Sequence, residues 1–133
     1  MPEITYRINT NLSGLMVGEL FRKSGISRPV TDYQRIQKML DNSNLIISAW
    51  DGNKLVGIAR ALTDFNYCCY LSDLAVDRDY QNLGIGKKLV ARLKSELSDQ
   101  VAILLLAAQT ATEYYPKLGF EKANNAWIIL RSN

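Results

Sequence analysis

The segment from Leu71 to Leu89 holds the residues best placed to do chemistry. An apolar run, Leu71 to Val76, gives way to a short polar loop, and the loop enters Gln81-x-x-Gly84-x-Gly86, which opens a basic helix. The start of a helix carries partial positive charge and unpaired N–H groups, and surface helices place Asp or Glu there. This helix places Lys87 and Lys88 there instead. A positive helix start with two glycines and two lysines lacks a counter-anion of its own, and a phosphate-bearing ligand would supply one. The spacing is neither G-x-G-x-x-G nor G-x-x-x-x-G-K-[ST], so it argues against a Rossmann turn and against a P-loop.

Other chemistries are narrowed by what is missing. The chain has no histidine, hence neither the usual transition-metal ligand nor the usual general base. Its two cysteines, Cys68 and Cys69, are adjacent in a predicted strand, where successive side chains point to opposite faces. They cannot readily bridge each other and read as core or half-core thiols of a reducing compartment. A net charge of +3, with lysines and arginines scattered along the chain, gives no nucleic-acid stripe. The longest apolar stretch, Val101 to Ala108, is far below the ~18–20 residues of a membrane helix. The first residues lack a secretory leader pattern. A cytoplasmic protein without metal or membrane is expected.

At 133 residues, 47% apolar and 22% charged, the chain reads as one domain spanning 1–133. Ile4 to Ile8 alternates as a strand. Asn11 caps a predicted helix from Leu12 to about Ser24, with Leu12, Leu15, Met16, Leu20 and Phe21 inward and Gly25 as its stop. Thr31-Asp32-Tyr33-Gln34 is a capping box opening a second helix to about Asp41. A hairpin follows, Leu45–Trp50 and Leu55–Thr63 around Asp51-Gly52-Asn53, then a strand from Tyr67 to Val76. The helix behind the glycines is predicted to run to about Ser98. Val101 to Ala108 reads as a central strand buried on both faces. A short helix near Glu113–Leu118 and strands near Phe120–Lys122 and Trp127–Arg131 complete an α/β chain of order β-α-α-β-β-β-α-β-α-β, a mixed sheet flanked by helices. The glycine turn falls at the C-terminal end of a strand in a β-α-β unit, where open α/β sheets place ligands.

Gln81-Asn82-Leu83-Gly84-Ile85-Gly86 resembles the acetyl-CoA signature Q/R-x-x-G-x-G/A of the GNAT superfamily of N-acetyltransferases. Leu74-Ala75-Val76 stands where that family has a bulged strand. Tyr114-Tyr115-Pro116-Lys117-Leu118-Gly119-Phe120 is similar to its C-terminal F/L-Y-x-K-x-G-F, and the element order agrees over the whole chain. The resemblance implies acetyl-CoA as cosubstrate. Its diphosphate would lie on the main-chain N–H groups of Leu83 to Lys88, with Gly84 and Gly86 bare because a Cβ would obstruct it. Its pantetheine arm would pair with Leu74 and Val76, beside Ala75. Gln81 and Asn82 belong to the same signature. Lys87 and Lys88 would add charge near the phosphates or are solvated surface.

The resemblance further implies acetyl transfer by direct attack of a primary amine, with Tyr115 as the general acid that protonates the departing thiolate. A core tyrosine packing the last helix is the plainer role for the same residue. No base is evident: Tyr70 and Ser72 occupy the positions where relatives carry Glu or His, and alternation turns Asp73 the other way. Pro116 and the Ala108-Gln109 pair depart from the family pattern around Tyr115. Tyr33, Tyr70 and Ser72 are candidate acceptor contacts, with Asp32 and Trp127 candidates by position only. The segment Ser24 to Pro29 reads either as a gate or as a connection. The acceptor, a small-molecule or protein amine, is unspecified by the sequence, and pairing of two copies through a sheet edge or the last strands is compatible with the family. A non-catalytic acetyl-CoA-binding or sensing module is the other reading; a nucleotide-binding or phosphotransfer domain fits the motifs less well.

Overall fold

The computed structural model describes residues 2–132. Five strands form one mixed sheet in the order β1-β2-β3-β4-β5: Ile4–Ile8, Leu45–Asp51, Lys54–Thr63, Cys68–Val76 and Ala102–Leu104. Neighbours pair antiparallel except β4 and β5, which run parallel. Helices α1 (Gly14–Ser24) and α2 (Tyr33–Asp41) precede β2, and α3 (Ile85–Ser95) joins β4 to β5.

Local chemistry sets the helix ends. Ser13, not Asn11, caps α1, its hydroxyl accepting from the Met16 N–H at 3.1 Å, and Gly25 closes it with φ 81°. Asp32 caps α2, accepting from the Arg35 N–H at 3.1 Å. The buried stripe of α1 is Val17, Leu20 and Phe21 with Gly14 and Gly18, whereas Leu15 and Met16 face outward, contrary to the reading from apolar content. A Cβ at Gly18 would run into the Val30 carbonyl and the Tyr33 ring, so the inward side of α1 is partly a small-residue seam against α2.

The core lies on both faces of the sheet. Ile47, Val56, Ala59 and Leu71 pack with Leu89, Val90 and Leu93 of α3. Ile46, Trp50, Ile58 and Ala75 pack with Val17, Leu20, Phe21, Ile36 and Leu40 of α1 and α2. Each such large side chain contributes about 1.5–3 kcal/mol on burial. Leu71 and Ala75 lie an even number of residues apart in β4 yet belong to opposite cores. The cause is a bulge: Arg60 pairs with Asp73 and Ala61 with Leu71, leaving Ser72 as the extra residue. The irregularity thus falls at Ser72, ahead of Leu74-Ala75-Val76.

The C-terminal third departs from the expected pattern. Only Ala102–Leu104 forms ladder, and Leu104 is 48% exposed, so this is an edge strand and not a strand buried on both faces. The short helix near Glu113–Leu118 is replaced by 3-10 turns at Gln109–Ala111 and Tyr115–Leu118. Neither Phe120–Lys122 nor Trp127–Arg131 is a strand, and Trp127 and Ile129 are 96% and 100% exposed. No helix among the described residues is long and apolar enough to cross a membrane.

Candidate active site

The site begins where two parallel strands separate. β4 and β5 share a ladder only from Cys68↔Ala102 to Tyr70↔Leu104. Beyond it β4 continues to Val76 without β5 beside it, and a trough opens. One cavity of about 660 Å³ lies between Leu74, Ala75 and Val76 on one wall and Leu105 to Ala108 on the other. A second, also about 660 Å³, adjoins it at the start of α3 and shares Ser24, Leu74, Val76, Gln81 and Ala111 with the first.

The second cavity is lined by Asn82, Gly84, Ile85, Gly86 and Lys87. Gly84 takes the N-cap position of α3 with φ 79°, a conformation that disfavours other residues, and no side chain caps the helix. A Cβ at Gly84 would meet nothing within 4 Å. The amides of Ile85, Gly86 and Lys87 form the first turn and have no carbonyl one turn back inside the helix. The Lys88 N–H, by contrast, donates to the Gly84 carbonyl at 3.1 Å, so it is withdrawn from the anion-binding set. Leu83 and Lys88 line neither cavity. The only charged residues lining the second cavity are Lys87 and Lys117, with no carboxylate among them. Uncapped amides, a bare Gly84 and lysines without acids fit a diphosphate.

Two signature residues have local duties. The Gln81 side chain donates to the Val76 carbonyl at 3.0 Å, tying the loop to the end of β4. A Cβ on Gly86 would strike the Tyr114 hydroxyl. Gly86 thus leaves room for the Tyr114 hydroxyl.

Tyr115 enters the other cavity at the start of the Tyr115–Leu118 turn. Pro116 sits at the beginning of that turn, where its missing N–H is not required. Gly119, at φ 94°, donates to the Pro116 carbonyl at 3.1 Å, and the Phe120 N–H returns to the Tyr115 carbonyl at 3.2 Å. The Tyr115 ring packs edge-on against Tyr114 and Phe120, with centroids 5.3 and 5.8 Å away. Burial raises its phenol above the ordinary value of 10.0, opposed in part by the positive charge of Arg28.

Beneath this cavity lies a buried ion cluster. Asp73, with a fully buried side chain, accepts from Arg28 Nε at 2.7 Å and from Arg60 Nε at 2.5 Å. Arg28 also donates to the Ser72 carbonyl at 2.7 Å, while Arg60 donates to the Ser72 and Ser43 hydroxyls at 3.0 Å each. The Ser72 bulge turns Asp73 toward the α1–α2 side, so simple alternation misplaces it. Its carboxylate is engaged by two guanidinium groups. Arg28 thereby ties segment 24–29 to β4.

Of the candidate acceptor contacts, Ser72 lines the cavity around Tyr115, but Tyr33 and Tyr70 do not. Tyr33 instead donates to Glu19 at 3.3 Å. Ser24, Arg28 and Arg131 line the cavity and carry no motif that marks them in the sequence. No carboxylate lines either cavity. Among the described residues no group of three or more His, Cys, Asp or Glu is gathered to hold a metal ion.

Comparison with known proteins gives concordant results. A profile of the acetyltransferase (GNAT) domain matches residues 23–127. The uncharacterized N-acetyltransferase ycf52 of Pyropia yezoensis is 35% identical over 103 residues, covering 73% of this chain. The chain spans 58% of that relative's length. A protein of unknown function from meticillin-resistant Staphylococcus aureus, described as a probable acetyltransferase, superimposes with a TM-score of 0.79 at 22% identity, over 98% of this chain and 99% of its own. The aminoglycoside N-acetyltransferase AAC(6')-Iy in complex with CoA gives 0.73 at 15% identity, over 100% and 97%. At these identities the two structures speak to the fold alone.

Proposed function

The chain belongs to the GNAT acetyltransferase family, and we propose that it transfers the acetyl group of acetyl-CoA to a primary amine by direct attack, with Tyr115 as the general acid. The observation that carries this reading is the trough between the diverging β4 and β5. It runs from the uncapped start of α3 to the Tyr115 side chain.

At the α3 end, the amides of Ile85, Gly86 and Lys87, with the charges of Lys87 and Lys117, hold a diphosphate. Along the trough, the main chain of Leu74 to Val76 guides an extended arm toward Tyr115. Bound acetyl-CoA supplies an activated acyl carbon and a thiolate leaving group. Nitrogen attacks that carbon, the C–S bond breaks, the Tyr115 hydroxyl gives its proton to sulfur, and the proton that the acylated nitrogen sheds returns to the Tyr115 phenolate. A phenol with its pKa held above the ordinary range remains protonated for this task throughout neutral pH. The Asp73 carboxylate is engaged by Arg28 and Arg60, and the Ser72 hydroxyl accepts from Arg60. The proton lost by the incoming ammonium therefore passes to water.

Mixing the protein with acetyl-CoA and a broad amine panel, while following free thiol, tests this reading. Amine-dependent thiol release is expected, and Tyr115→Phe should lower kcat at least about tenfold, within the 10²–10⁴ range typical of general acid–base groups. CoA affinity should stay nearly unchanged. CoA binding without thiol release on any amine would favour a sensing module, and an unaltered rate in Tyr115→Phe would remove Tyr115 from the mechanism.

A further inference from the structure

From the charges around Tyr115 we infer that the acceptor is an anionic amine, a small molecule bearing a carboxylate or phosphate near its amino group, held through that anion by Arg28 and Arg131. This rests on the amine-acetylation reading of the same site and narrows its substrate.

The cavity around Tyr115 has two charged residues in its lining, both cationic: Arg28 from the α1–α2 connection and Arg131 from the C-terminal segment. Neither lines the adjoining cavity at the start of α3. The cofactor's diphosphate has Lys87, Lys117 and the α3 amides at that other end, so it does not draw on these two guanidinium groups, of which Arg28 shares the single Asp73 carboxylate with Arg60.

Arg28 is held ready. The bonds from its Nε to Asp73 and from its two terminal nitrogens to the Ser72 and Ser27 carbonyls, at 2.7 and 2.6 Å, fix the guanidinium plane, while the side chain stays 28% exposed and each terminal nitrogen keeps one N–H to donate. Asp73 does not cancel the positive charge, because its one carboxylate is shared between Arg28 and Arg60. Arg131 pairs with no acidic side chain among the described residues. Arg28 and Tyr115 line the same cavity, which places the Arg28 charge close to where the amine must react. A fixed guanidinium fork suits a planar carboxylate or a phosphate, and charge-assisted bonds of this kind are the stronger ones. A polycation would meet like charge and find no acid for its ammonium groups.

The experiment measures binding and turnover separately. Glycine, β-alanine and O-phosphoethanolamine are compared with glycinamide, β-alaninamide, ethanolamine, spermidine and a terminally blocked lysine peptide. Binding is read by calorimetry on the protein saturated with CoA, and turnover by thiol release from acetyl-CoA. Loss of one charge-assisted contact corresponds to about tenfold or more. Each anionic amine should therefore outbind its neutral counterpart by at least about that factor, with the glycine and phosphoethanolamine pairs distinguishing carboxylate from phosphate. Arg131→Gln should raise KM for the anionic amine with little change in kcat, and Arg28→Lys, which retains the ion pair to Asp73, should do the same. Turnover with equal or better use of neutral amines, spermidine or the peptide would overturn the inference while leaving acetyl transfer standing. Arg131-dependent anion preference in binding, with no turnover, would support the inference and sink the transfer reading. Absence of both would sink both.

Discussion

At the scale of single residues, Tyr115 and Gly86 carry the sharpest tests. Burial lifts the Tyr115 phenol and Arg28 offsets part of the rise. A general acid works while protonated, so its contribution is complete below its pKa and is lost as pH climbs through it. With that pKa raised, kcat should hold through neutral and mildly alkaline pH and fall only above the ordinary 10.0 of a tyrosine. A pH–rate profile checks this, and the alkaline limb should be absent from Tyr115→Phe. At Gly86 an added methyl meets the Tyr114 hydroxyl, so Gly86→Ala should cost about 1–3 kcal/mol of stability, the usual range for overpacking. Removing that hydroxyl makes room, and Gly86→Ala in a Tyr114→Phe background should recover most of the loss in a urea titration. The glycine spacing was readable from residue types; the approach of Tyr114 to Gly86 was not, because Tyr114 reaches it from 28 residues farther along the chain.

At the scale of elements, β4 does the most positioning. Its bulge at Ser72 lets one strand contribute Leu71 to the α3 core and Ala75 to the α1–α2 core. The same inversion brings Asp73 onto Arg28 and Arg60. Replacing Asp73 by Asn would leave the buried Arg60 guanidinium without its countercharge, and removing one partner of a buried pair costs about 3–5 kcal/mol. Asp73→Asn should therefore lower stability by that order in chemical denaturation. Period-two patterning located β1, an apolar run located β4, and Asp51-Gly52-Asn53 located the β2–β3 hairpin, since each signal is local. A bulge adds one residue without changing the local pattern, so the facing of Asp73 could not be read. The outward turn of Leu15 and Met16 has a related cause. Apolar content marks what a helix could bury, but the small residues Gly14 and Gly18 settle which side of α1 meets α2.

At the scale of the whole molecule, the working feature is the separation of β4 from β5, which leaves a trough spanning two adjoining cavities. Its placement at the end of a β-α-β unit was legible in the element order. The shortness of β5 and the exposed path of residues 120–132 were not, because an apolar segment announces a need for a partner without naming one. Arg131 reaches the site on that segment, and no motif announces it. Everything proposed depends on the start of α3 accepting a diphosphate. Calorimetric titration with CoA, set beside pantetheine, which lacks the nucleotide diphosphate, tests this most directly. Ligand at up to about 1 mM half-fills even a site worth only about −4 kcal/mol. The expected result is saturable CoA binding with pantetheine far weaker; no uptake of CoA, or equal affinity for the two, would contradict the account.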